Sequence, residues 1–120
     1  MENLEPTRAD ILSAWADTGP VQTYRAVLGS DWAARLQRSV PTHMHEGMVR
    51  WIVLGQRPGG FLTAVLENNL KEAVMRADDI NARMLADTVG FLYSCAPPMC
   101  WGSPEKVKAW TGLLPEEVQP

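Results

Sequence analysis

The chain has 120 residues, 46% hydrophobic and 21% charged, with a net charge of −3 and a pI near 5.3. This is one domain of ordinary globular composition, without the basic footprint of a nucleic-acid binder and too mildly acidic to mimic DNA. No apolar run approaches the roughly 20 residues that span a bilayer, and Met1 to Pro6 has neither the charged nor the apolar region of a signal peptide. Two cysteines without an export signal point to free thiols in a reducing cytoplasm.

In the first forty residues, Thr7 with Asp10 three positions on predicts a capping box. Ile11, Leu12 and Trp15 follow as an apolar strip that Gly19-Pro20 stops. Val21, Tyr24, Val27 and Leu28 form a second short helix ending at Gly29. Ser30 or Asp31 caps a third, carrying Trp32, Ala33 and Leu36 before Val40-Pro41. Pieces of two or three turns are marginal alone and must dock on something.

Pro41-Thr42 restarts the chain, with Thr42 as candidate N-cap. Met44, Met48, Trp51 and Ile52 recur at helical spacing, and Gly55 is the natural stop. Arg57-Pro58-Gly59-Gly60 then opens into the stretch expected to organise the fold, a central helix over about residues 60–75. Placed at 100° per residue, Leu62, Val65, Leu66, Leu70, Ala73 and Val74 make one wide apolar stripe on it. Glu67→Lys71 and Glu72→Arg76 mark its solvated edge. A turn follows near Ala77, with Asp78 capping a helix that presents Ile80, Met84, Leu85, Thr88, Phe91, Leu92 and Cys95 on one face. Pro97-Pro98 ends it. Ser103-Pro104 is an N-cap followed by proline at the first helical position, and this last helix stops at Gly112.

There is no repeat and no alternating strand pattern. The expected fold is all-α, a small multi-helix bundle around the 60–75 helix. Residues 1–40 are expected as a helical N-terminal extension, 41–112 as a core body that folds by itself, and 113–120 as a tail.

An ordered set of motifs runs through the body: His43-Met44-His45-Glu46-Gly47, Pro58 to Leu66, Asn69 to Ala73, Ala77-Asp78, and Cys100-Trp101-Gly102-Ser103-Pro104-Glu105-Lys106. Over roughly residues 41 to 111 it resembles a group of small proteins encoded by bacteriophages and prophages of Gram-negative bacteria. The sequence departs at Met75, where the resemblance leads one to expect a small residue such as glycine. The resemblance implies a small phage accessory gene and carries no activity.

Several residues bear on chemistry. His43 and His45 look like metal ligands, yet on a helix two positions mean about 200° of rotation, and chelation prefers i, i+4. They converge only from a loop; otherwise His45 packs beside Met48 and Ile52 while His43 is solvated. Cys95 falls on an apolar helix face and reads as a small hydrophobe. Cys100 lies in a loop, but no CxxC pair supplies further ligands. Asn69 and Asn81 both sit inside apolar stripes. A buried amide needs a partner, so they either bond across the interface or line a small polar pocket with Asp78 and Arg76. Arg57 stands at a helix start where an anion binds, although the Walker and GxGxxG patterns are absent and the glycines serve a turn more readily. Among five tryptophans, an exposed one such as Trp101 marks an interface.

The expected function is a non-enzymatic phage accessory protein, a compact helical module that binds a host protein or its own copy, with no cofactor, no membrane and no nucleic acid. The alternative is a small enzyme or metal-binding protein using His43, His45 and Cys100.

Overall fold

The computed structural model describes residues 7–115, without the side chain of Ala16. The expectation about Met1 to Pro6 and the last five residues of the tail lie outside that range. Within it the secondary structure is helical throughout, and no strand occurs among the described residues. None of these helices is long and apolar enough to cross a membrane.

Helix α1 (Arg8–Leu28) begins with the expected box: the Thr7 hydroxyl accepts from the Asp10 N–H and the Asp10 carboxylate accepts from the Thr7 N–H. Gly19, at φ 77° and ψ 179°, leaves the helical backbone just ahead of Pro20, so α1 is two helical segments that meet at a kink where the sequence places a stop. Gly29 separates it from α2 (Ser30–Ser39), which has no side-chain cap where Ser30 or Asp31 was expected to supply one. Thr42 likewise opens a 3-10 turn, Thr42–Met44, rather than capping the next helix.

That next helix, α3 (His45–Leu54), is the centre of the molecule. Seven of its residues are buried, and Met48, Val49, Ile52 and Val53 have no accessible surface at all. Gly55 stops it in the left-handed conformation at φ 71°. A helix end buried this deeply needs partners for its last carbonyls, and both ends of the chain provide them. The Trp110 indole donates to the Trp51 carbonyl at 2.9 Å. Leu113 and Leu114 N–H groups donate to Ile52 and Val53, at 3.0 and 2.8 Å. The Arg8 guanidinium donates to Leu54 and Leu114 carbonyls at 3.2 and 2.8 Å, and its charge suits the negative end of the helix dipole. The backbones pass so closely that a Cβ on Gly112, itself at φ 98°, would lie 2.6 Å from the Leu54 carbonyl carbon.

The expected continuous helix over 60–75 is broken. α4 (Gly60–Leu66) is the apolar piece, with Phe61, Leu62, Ala64, Val65 and Leu66 buried. It ends in a Schellman motif: Asn69 N–H bonds to Ala64 and Asn68 N–H to Val65, with Asn68 left-handed at φ 61°. Asn69 then caps α5 (Leu70–Arg76) by accepting from the Glu72 N–H at 3.2 Å. Leu70 and Val74, placed in the core stripe by a single periodicity, are consequently 69% and 56% exposed. The bundle therefore centres on α3, with α4 beside it, rather than on a 60–75 rod.

Asp78 caps α6 (Asp79–Arg83) as expected, accepting from the Asn81 N–H at 2.7 Å. A kink at Met84 separates α6 from α7 (Leu85–Cys95), whose Thr88, Phe91, Leu92 and Cys95 are buried. Ser103 caps α8 (Pro104–Ala109) with proline at its start.

α1 packs on α2 and α3, α2 packs on α7, and α4 packs on α5. Buried Ile11, Tyr24, Ala33, Leu36 and Val40 belong to the same core cluster as Trp51, Leu66, Leu92 and Val107. The core is continuous across residue 40.

Candidate functional site

The residues singled out for chemistry separate into places that do not meet. His45 is 4% exposed, and its Nε2–H donates to the Val40 carbonyl at 2.7 Å. It opens α3 and ties that end to the α2 corner, the packed position among its two readings. His43 is exposed and faces the Asp78 carboxylate at 3.5 Å. Cys100 is fully buried in the 3-10 turn Pro98–Cys100, where its carbonyl accepts from the Trp51 indole at 2.9 Å. Burial pushes its thiol up from 9.0 to about 12, so it is neither an exposed loop thiol nor a ready nucleophile. Cys95 is buried as well. The Tyr24 hydroxyl donates to the Cys95 carbonyl at 3.1 Å, and burial, then proximity to Cys95 and Cys100, raises its pKa above the ordinary range. Among the described residues no three His, Cys, Asp or Glu side chains are grouped to hold a metal ion. His43, His45 and Cys100 are not brought together as a ligand set.

The polar pocket expected from Asn69, Asn81, Asp78 and Arg76 is split in two. Arg57, Asn69 and Arg76 line one open cleft of about 320 Å³, with Glu67 and Glu72 between them. Arg76 bonds Glu72 at 3.1 Å and Arg57 approaches Glu67 at 4.0 Å, so each guanidinium already has a carboxylate. An anion entering there displaces a neutralising partner, which weakens the Arg57 reading. Asn69 is exposed and serves as a cap, which corrects its predicted burial and removes any bond to Asn81. Asp78 instead faces His43 and accepts from the Asn81 N–H. Asn81 is 5% exposed, and its side-chain oxygen has no hydrogen-bond partner.

All five tryptophans belong to the core or pack against it. Trp51 is fully buried, and Trp15, Trp32, Trp101 and Trp110 are half-buried. The Arg50 guanidinium lies 4.8 Å from the Trp15 ring centroid, a cation–π contact that joins α1 to α3. Trp101 shares a shallow cleft with Tyr93, Ala96 and Pro98.

What sequence reasoning missed is the outward apolar surface of α5. Met75 is 74% exposed beside Leu70 and Val74, and Ile80 and Val89 are exposed on the following helices. Leu70 and Val89 also line a shallow groove between α5 and α7 together with Leu85 and Ala73. The available signal was Asn68-Asn69. Asparagine is a strong N-cap and the commonest non-glycine residue in the left-handed stop, so the pair ends one helix and starts another. Rephasing the stripe there turns Leu70 and Val74 outward. No protein-family model matches the chain, and no curated protein or solved structure does.

Proposed function

We propose that this chain is a non-enzymatic accessory module that binds another protein, of the phage and prophage kind its motifs resemble. The observation carrying this reading is the apolar face of α5. Three of its side chains, Leu70, Val74 and Met75, are between 56% and 74% exposed. Scattered surface leucines need no explanation, but a grouped face on one helix marks an interaction surface. The groups that would serve the metal or enzyme alternative are engaged structurally: His45 on a backbone carbonyl, Cys100 in the core.

The test is chemical cross-linking of the full chain in a lysate of a Gram-negative host, against Leu70→Asp and Met75→Asp. Both side chains are exposed, so the variants should melt like the wild type. Cross-linked species, with host proteins or with itself, should form with the wild type and disappear with the variants. Species indifferent to both substitutions, or none at all, would overturn the proposal.

A further inference from the structure

Resting on that protein-binding reading, we infer that the α5 face is a two-fold interface between two copies of this chain. The face is suited to its own image. Its exposed side runs Leu70, Lys71, Val74, Met75, while Ala73 turns into the core and Glu72 and Arg76 pair with each other on the flank. A two-fold interface brings the same patch to both sides, so its charges must complement themselves under the rotation. Here they do. Among the described residues neither the Lys71 ammonium nor the Asp79 carboxylate has an ion-pair or hydrogen-bond partner.

The two groups flank Val74 in sequence, Lys71 in the first turn of α5 and Asp79 at the start of α6. With two α5 helices antiparallel and Val74 on the axis, Lys71 of one copy lies across from Ala77 of the other. Asp78 and Asp79 follow immediately, within reach of a lysine side chain. The rotation makes the same contact twice. It also carries Leu70 of each copy toward Ala77 of the other, and sets the exposed Met75 side chains alongside the Val74 pair at the axis. Residues 70–89 hold three basic and four acidic side chains, so this surface is nearly neutral in a chain of net charge −3. Two copies therefore meet here without the repulsion that their net charge imposes elsewhere. A seven-residue helix offers less than the roughly 800 Å² per partner of a standard interface, which puts this contact at the small, transient end of protein interfaces.

Sedimentation velocity of the full chain over about a hundredfold range of concentration should show a monomer–dimer equilibrium. Lys71→Glu and Asp79→Lys should each raise the dissociation constant about tenfold, and the double variant should return it near the wild-type value, because the exchanged charges again face opposites. Circular dichroism checks that the variants remain folded. A dimer indifferent to these charges uses another surface and overturns the inference, as does a chain monomeric throughout. A monomer that still forms Leu70-dependent cross-links with a host protein overturns self-pairing and leaves the protein-binding reading standing. A monomer with no such cross-links ends both.

Discussion

Cys100 illustrates how little a residue's type says about its reactivity until its surroundings are known. In sequence it stands in a loop between prolines and a tryptophan, the setting of an accessible thiol. In the structure the 3-10 turn tucks it under α3, with its carbonyl held by Trp51. Its thiol ionises near 12 when folded against an ordinary 9.0, because burial penalises the thiolate. Raising the pH above about 9 charges the unfolded chain first, so this contribution to stability is whole below that pH and is lost on the way to 12. Tyr24, raised in the same direction, adds to the loss at higher pH. Urea midpoints measured from pH 7 to 11 should therefore fall at the alkaline end, and Cys100→Ala should flatten part of that fall. A thiol reagent at pH 8 should leave both native cysteines unmodified; rapid labelling of the folded chain would contradict the burial. Asn81 was legible as buried but not as unpaired, since the composition of a stripe cannot show what faces its amide oxygen.

Helix ends decide most of what the elements do. Four caps readable as short local patterns appear where expected, Thr7 with Asp10, Gly55, Asp78, and Ser103-Pro104, whereas Ser30, Asp31 and Thr42 cap nothing. Each of the four depends on residues within four positions, which sequence displays directly. The break at 67–69 was missed because the apolar period runs through it almost in phase. Asn69 makes the difference testable. As an exposed N-cap, Asn69→Ala should cost about 1 kcal/mol, and Asn69→Asp, which keeps the accepting oxygen, should cost little. Were Asn69 instead a buried partner of Asn81, both substitutions would be damaging and a double-mutant cycle with Asn81→Leu would show coupling. The expected coupling is nil, because the two amides share no hydrogen bond. The functional consequence sits on the same hinge. Restarting the helix at Asn69 is what turns Leu70, Val74 and Met75 outward.

At the scale of the whole molecule, the all-α fold was legible because helical periodicity and stops recur along the entire chain. The long-range closure was not, because no local pattern announces that Leu113 will cap Ile52 or that Arg8 will reach Leu54. Those contacts decide whether residues 41–112 form a unit. Removing residues 1–40 strips Tyr24, Ala33, Leu36 and Val40 from the core, at about 1.5–3 kcal/mol for each large apolar side chain. It also removes the Arg8 guanidinium from the Leu54 carbonyl. Ending at 112 takes away the Leu113 and Leu114 donors, leaving buried Ile52 and Val53 carbonyls unpaired at about 1–3 kcal/mol each. A domain of this size has only about 5–15 kcal/mol in total, so the losses exceed what the fragment can absorb. Residues 41–112 alone should show weak helicity and a broad, non-cooperative melt, whereas residues 7–115 should melt as sharply as the full chain. A fragment 41–112 with native-like helicity and a sharp transition would mean that α1, α2 and the C-terminal strap merely cover a body that is complete without them. The intermediate fragment 41–115 separates the two contributions. Its gain over 41–112 measures the carbonyl caps on α3, and its shortfall from 7–115 measures the core that α1 and α2 supply together with Arg8.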